Sequence, residues 1–430
     1  MANLKHNNFK QDTLALHSGY NYGNERTLSV PIYQNTAYNF ENLTQAANRF
    51  ALKELGNIYT RLTNPTSDVL SARLAAIEGG AFGVVSASGA SAVFYALVNC
   101  ASCGDNIIYS NKIYGGTQTL IAHNLKRFGI NSRVFDIDDI ENSLPKLIDS
   151  NTKAIFFESI SNPQISIADT LKITEIAKKH NIITICDNTV ATAFLHKPFE
   201  YGVDIVVYSL SKYINGQGSA LGGAIIEREN LNSLIKDNPR YTPFNTPDES
   251  YHGLIYANLP LPNFCIRIIT EWLRNTGATI SPQNAWIILQ GLETLELRIK
   301  KHSSNAFEVA KFLRSSSNVK AVSYPMLEGD KYNSLLKKYY KDGNASGLIS
   351  FEVESYEKAI KVCDGLEIFS ITANIGDSKS LVIHPASTTH SQLSSKELES
   401  AGIKQGTIRL SIGLENASDL IADLKQALGS

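Results

Sequence analysis

The chain has 430 residues, 43% of them hydrophobic and 19% charged, enough to bury a large core and to divide into two or more domains. Lysine and arginine total 40 against 41 acidic residues, so no global basic field draws in nucleic acid or an anionic membrane, and any bound anion must be held locally. No apolar run approaches the ~20 residues of a membrane span, and Met1 to Phe9 lacks an apolar signal core, so the expected location is the cytoplasm.

Residues 1–63 carry Pro31, several asparagines and little periodicity, and read as an arm that lies against something else, such as a neighbouring subunit. From Pro65 the pattern changes. Thr66 or Ser67 is the expected cap of a helix carrying Val69, Leu70, Leu74 and Ile77 that stops at Gly79 and Gly80. Strand and helix patterns then alternate. Strands are expected over Gly83 to Val85, Asn106 to Tyr109, Ser132 to Phe135, Ala154 to Phe157, Ile182 to Cys186, Ile205 to Tyr208 and Gly223 to Ile226, with helices such as Leu171 to Lys179 between them. That alternation predicts a mostly parallel α/β sheet with helices on both faces and a ligand site beyond the carboxyl ends of its strands.

Pro239, Pro243, Pro247, Pro260 and Pro262 fall in a stretch without apolar period, read as a long excursion near the site or a subunit contact. A helix over Gln283 to Lys300, with Trp286, Leu289, Leu292, Leu295 and Ile299 at helical spacing, leads into a smaller C-terminal α+β domain. The expected division is an arm over 1–63, a large α/β domain over 64–279 and the smaller domain over 280–430. The 5 cysteines, Cys100, Cys103, Cys186, Cys265 and Cys363, read as buried free thiols, and the single Cys100/Cys103 pair lacks the partners of a zinc site.

Chemistry concentrates at the strand ends. Lys212 follows the strand Ile205 to Tyr208, between the hydroxyls of Ser209 and Ser211 and a glycine-rich turn. It is either a solvated surface lysine or, once desolvated, an amine able to form a Schiff base with a carbonyl, as pyridoxal phosphate chemistry requires. Asp187 ends its own strand and either caps a helix beginning after Asn188 and Thr189 or faces a protonated ring nitrogen. The turn from Ser86 to Ser91, with Gly89 and Ala90 opening a helix, either packs helix on sheet or offers backbone N–H groups to a phosphate. Tyr114, in a glycine-rich turn, is placed to stack on a flat ring; Tyr59 and Arg61 are phosphate ligands or solvated loop residues. Arg409 lies within an apolar strand pattern, where burial demands an anion: a ligand carboxylate or an internal acid. His384 and His390 show no metal-ligand pattern and read as structural, so no metal is expected.

Tyr-Thr-Arg-Leu-Thr-Asn-Pro-Thr at 59–66, Tyr-Gly-Gly-Thr at 114–117, Glu-Ser-Ile-Ser-Asn-Pro at 158–163, Cys-Asp-Asn-Thr at 186–189, Ser-Leu-Ser-Lys at 209–212 and His-Pro-Ala-Ser-Thr-Thr-His at 384–390 occur in this order. Together they resemble the γ-family of pyridoxal-phosphate enzymes of cysteine and methionine metabolism, over nearly the whole chain. Asn245 to Gly253 in the proline-rich excursion, Ala373 to Pro385 and the chain length are most similar to the O-acetylhomoserine sulfhydrylase group. The family's methionine γ-lyases typically carry cysteine at the position of Gly116, and many members carry a larger residue at Ala90.

The resemblance implies a large domain of the aspartate aminotransferase type I fold and a transferase that makes homocysteine or methionine, plus acetate, from O-acetyl-L-homoserine and sulfide or a thiol. It implies pyridoxal 5'-phosphate on Lys212, Asp187 at the ring nitrogen and Tyr114 on the ring face. The phosphate would be held by Gly89, Ala90, Ser209 and Ser211, with Tyr59 and Arg61 donated by a neighbouring subunit of a homotetramer. Arg409, Asn162 and Asn374 would meet the substrate, Asn162 also being within the cofactor's reach. Cystathionine γ-synthase or γ-lyase activity, and a non-catalytic phosphate-ligand-binding α/β protein, are the alternatives.

Overall fold

The computed structural model describes residues 9–391, 398 and 402–429. Residues 1–8, read above for their lack of an apolar core, lie outside the described residues, as do parts of the expected C-terminal domain.

Two short helices, α1 (Gln11–His17) and α2 (Leu43–Phe50), precede the sheet. Leu14 and Ala15 of α1 are buried in the main core, so this part of the arm packs on its own chain. Helix α3 (Pro65–Glu78) is capped by Asn64, whose Oδ1 accepts the Thr66 N–H at 3.0 Å. The expected caps, Thr66 and Ser67, therefore sit inside the first turn. Pro65 supplies a fixed φ at the first helical position and needs no donor there, which moves the cap to the residue before it.

The strands β1 (Phe82–Ser86), β2 (Asn106–Ser110), β3 (Asn131–Phe135), β4 (Thr152–Glu158), β5 (Ile183–Asp187), β6 (Ile205–Ser209) and β7 (Gly223–Glu227) form one sheet in the order β1-β7-β6-β5-β4-β2-β3. From β6 to β3 the pairs are parallel; β7 runs antiparallel to both β6 and β1. In β6, Ile205 and Val207 join one apolar cluster, Val206 and Tyr208 the other. While the edge strand β3 is half-exposed, burial on both faces is why inner strands such as β4 and β6 read as unbroken apolar runs rather than as alternations. Each such side chain contributes roughly 1.5–3 kcal/mol of burial.

Helix α4 (Gly89–Cys100) leaves the end of β1 through a capping box in which Ser88 and Ser91 satisfy each other. The excursion after β7 is less irregular than its sequence suggests: Tyr241, Phe244 and Tyr256 are buried against the sheet's second cluster. The helix expected over Gln283 to Lys300 is two helices, Pro282–Glu293 and Leu295–Ser315, because Thr294 leaves helical geometry at φ −110°, ψ 7°. A second sheet of β8 (Ala321–Ser323), β9 (Leu348–Glu352), β10 (Ser370–Ile371), β11 (Leu381–Ile383) and β12 (Thr407–Ser411) has the order β10-β11-β12-β9-β8 and is mainly antiparallel. Cys103 is exposed, contrary to the expectation of buried thiols, because it follows the helix end rather than lying within it; the other cysteines are buried and free. Among the described residues no helix is long and apolar enough to cross a membrane.

Candidate active site

The carboxyl ends of β4, β5 and β6 present Glu158, Asp187 and Ser209 along one edge, and Lys212 lies three residues beyond β6. Lys212 Nζ donates to Asn374 Oδ1 at 2.6 Å, a residue between β10 and β11 of the second sheet. Burial, with the Arg409 cation adding to it, pushes the Lys212 ammonium down to about 8. A lysine so placed is a usable nucleophile near neutrality, which a solvated surface lysine is not.

Arg409 is 3% exposed, on β12. Its Nη1 donates to Asn162 Oδ1 at 3.1 Å and its Nη2 to the Asn374 carbonyl at 2.9 Å, while Nε is buried without a partner. Among the described residues it pairs with no carboxylate, so the internal ion pair left open by the sequence is not formed; desolvation lowers its guanidinium to about 10. A buried, unpaired planar cation beside a half-buried amine asks for an anion from outside the chain.

Asp187 Oδ1 accepts the Thr189 N–H at 2.9 Å, and Thr189 Oγ1 accepts the Ser209 N–H at 2.8 Å, so the acid is tied to the β6 end. The local motif is a turn closed by the aspartate side chain, not a helix cap. Burial raises the Asp187 carboxyl. Glu158, its register partner, is pushed well above the usual carboxylate range by burial and by the Asp187 charge.

Gly89 lies so close to Ser209 that a Cβ there would be 2.5 Å from the serine Cβ and 2.8 Å from its Cα. Only glycine permits this approach, which puts the free N–H groups of the α4 start, at Gly89 and Ala90, beside the Ser209 hydroxyl. Ser211 Oγ accepts the Gly222 N–H at 3.1 Å, holding the loop between β6 and β7. Tyr114 is half exposed, and its ring lies over Gly116, where a Cβ would come within 2.5 Å of Cε1. His390 is buried with its ring against Gly115 and its Nε2 without a partner, and His384 is bonded to Ser387 and the Gln405 carbonyl.

Tyr59 and Arg61 stand apart: both are exposed, the guanidinium lies 5.3 Å from the Tyr59 ring centroid, and neither hydrogen-bonds to the Lys212 cluster. Glu158 is the residue the sequence reading passed over. Its signal was available, as an acid ending one parallel strand beside an acid ending the next.

These groups fit pyridoxal phosphate: an amine of lowered basicity, an acid on the sheet edge, and a glycine-lined helix start beside a hydroxyl. The sequence profile described as Cys/Met metabolism PLP-dependent enzyme matches residues 12–429. An O-acetyl-L-homoserine sulfhydrylase of Leptospira meyeri is 43% identical over 98% of this chain and 97% of its own. A homocysteine synthase of Schizosaccharomyces pombe is 40% identical over 97% of both. A crystal structure from Campylobacter jejuni, labelled an O-acetylhomoserine (thiol)-lyase and containing N'-pyridoxyl-lysine-5'-monophosphate, is 65% identical, with TM-score 0.97, covering 98% of this chain and 100% of that one. The chain belongs to the pyridoxal-phosphate-dependent enzymes of cysteine and methionine metabolism.

Proposed function

We propose that the chain is an O-acetylhomoserine sulfhydrylase, which exchanges the acetate of O-acetyl-L-homoserine for sulfide, or a small thiol, and releases homocysteine, or methionine, for methionine biosynthesis. The observation that carries an amino-acid substrate is the buried Arg409 fork without an internal acid, joined through Asn374 to the Lys212 amine. The names of the relatives support the ester and the nucleophile.

In this reading Lys212 would anchor the cofactor, Asp187 would pair with its ring nitrogen, Gly89, Ala90, Ser209 and Ser211 would hold its phosphate, and Tyr114 would stack on the ring. Bound pyridoxal phosphate supplies an electron sink for negative charge developing at the substrate α-carbon. Arg409 grips the substrate carboxylate with both Nη atoms, and Asn162 and Asn374 hold that fork in plane. With cofactor and substrate bound, Lys212 Nζ would take the α-proton, pass it on, and as a free amine again take a β-proton, with Asn374 Oδ1 aiming it. Tyr114, next to the ring, assists these transfers at its hydroxyl. The acetate departs from the γ-carbon, sulfur takes its place, and the protons return to the carbons they left.

Tyr59 and Arg61 serve the phosphate of a neighbouring subunit in a homo-oligomer, a tetramer built as a dimer of dimers. Their exposure supports this, as do the bare apolar side chains of the arm, Leu28 at 83% and Leu43 at 88%. The same reading divides the chain into the arm at 1–63, the cofactor domain at 64–279 and the smaller domain at 280–430, in line with the two sheets. Its free cysteines support a reducing compartment, the cytoplasm.

Incubation with O-acetylhomoserine and sulfide, with O-succinylhomoserine and cysteine, and with cystathionine separates this activity from cystathionine γ-synthase and γ-lyase by product. Homocysteine and acetate from the first mixture are expected. Turnover confined to either of the others overturns the proposal. A colourless protein that takes up no cofactor would favour a non-catalytic phosphate-binding protein.

A further inference from the structure

Glu158 closes β4 on the buried edge of the site, 7% exposed and without an ion pair among the described residues. Its two oxygens are divided between two segments. Oε1 accepts the Tyr114 N–H at 2.7 Å and Oε2 accepts the Asn162 N–H at 3.1 Å. Tyr114 begins the turn that carries the exposed ring, and Asn162 Oδ1 is the acceptor for Arg409 Nη1. The register partner of Glu158 is Asp187. One carboxyl group thus touches the backbone of the ring-covering residue and that of the guanidinium's support, beside the acid of the sheet edge.

A buried acid next to another acid is unfavourable, and burial with the Asp187 charge pushes this carboxyl far up. Yet no neutral side chain of the same size replaces it. Glutamine offers one acceptor and one donor, so its amide N–H would face one of the two backbone N–H groups. The site demands two acceptors on one rigid group.

We propose that Glu158 is a positioning residue, which locks the Tyr114 turn and the Asn162–Arg409 clamp into one register so that the ring face and the substrate carboxylate are fixed together. This rests on the reading of Arg409 as the carboxylate clamp, and not on the choice of ester or nucleophile.

L-norvaline, an amino acid without a leaving group, tests it in the cofactor-loaded enzyme. Its binding is followed by the change in the cofactor's visible absorbance, and the circular dichroism of the same band reports the ring setting. Glu158→Gln is expected to retain cofactor, to raise the norvaline Kd about tenfold, the size of one lost hydrogen bond, and to alter the dichroic band. In an Arg409→Lys background the same change should weaken binding further by much less, because the two act through one clamp. A wild-type Kd and band in Glu158→Gln, or an effect that adds in full to that of Arg409→Lys, overturns the proposal. Glu158→Asp, an acid of shorter reach, decides by the same readouts if Glu158→Gln does not load. Failure of both variants to load or to fold also overturns it, since Glu158 would then be a requirement of the fold. None of these readouts needs turnover, so they stand even if the sulfide assay fails.

Discussion

Lys212 Nζ and Asn374 Oδ1 meet at 2.6 Å across the gap between the two sheets, so the amine at the end of β6 is aimed by a loop of the other sheet. Burial lowers its pKa from the ordinary 10.5 to about 8. Capture of pyridoxal phosphate by the apoenzyme should therefore accelerate as pH rises to about 8 and level off above it. The unfolded chain keeps this proton up to about 10.5, so between 8 and 10.5 it binds more protons than the folded one. Over that window the wild-type apoenzyme gains stability with rising pH, relative to Lys212→Met. Stopped-flow reconstitution and denaturant melts across pH check both; a capture rate still climbing at pH 10 contradicts the lowered value.

Asn374→Ala removes the acceptor that the ammonium form uses most strongly. The midpoint of cofactor capture should move to lower pH, by under about one unit, while the Arg409 contact to the Asn374 carbonyl persists. The pH profile of reconstitution reads this directly. A midpoint moved upward would mean that the asparagine favours the neutral amine.

Arg409→Lys keeps the charge but not the fork. Loss of one charge-assisted hydrogen bond, roughly 1.5–3 kcal/mol, predicts a fall in kcat/KM for the acetyl ester of about 10- to 100-fold. The cofactor's absorbance should not change, because no cofactor ligand has been removed. Steady-state kinetics beside a spectrum of the same preparation are the measurement.

Gly89→Ala forces a methyl group into the Ser209 backbone, where neither segment can yield easily. A loss of about 1–3 kcal/mol of stability is expected from overpacking alone. Weaker retention of pyridoxal phosphate on dialysis should accompany it, since the helix start moves away from the hydroxyl. A variant with unchanged Tm and unchanged retention would show that the approach is not needed.

Arg61→Ala and Lys212→Ala should each be inactive, and mixing the two after dissociation should restore about a quarter of wild-type activity if each site combines one subunit's lysine with its neighbour's arginine. Activity that stays absent in the mixture would place Arg61 in its own subunit's site.

Much of this was legible in the sequence, and for identifiable reasons. β1 to β7 fall within a residue or two of expectation, and the inner strands, buried on both faces, announce themselves as branched apolar runs, which the half-exposed edge strand β3 does not. The same runs carry no sign of direction, and the antiparallel course of β7 had to come from the structure. Arg409 stood out as a cation in an apolar strand, but whether an acid of the chain neutralised it depends on what lies across the fold. Glu158 is easily passed over because a lone acid at the end of an apolar run resembles a strand terminator, although Asp187 ends the next strand in the same way. Asn64 and Thr294 show the smaller failures: a cap displaced by the proline after it, and a helix interrupted where the apolar spacing continues unbroken.

The strand order has a consequence for synthesis. β1 is hydrogen-bonded only to β7, so the segment that leads into Gly89 has no sheet partner until the chain has grown past residue 227, and α4 then lands against β6. A nascent chain arrested before that point can pair β2, β3, β4, β5 and β6 yet holds no finished cup for a phosphate. The phosphate cup is thereby completed only once the chain has reached residue 227, though the segment that forms it was made more than a hundred residues earlier.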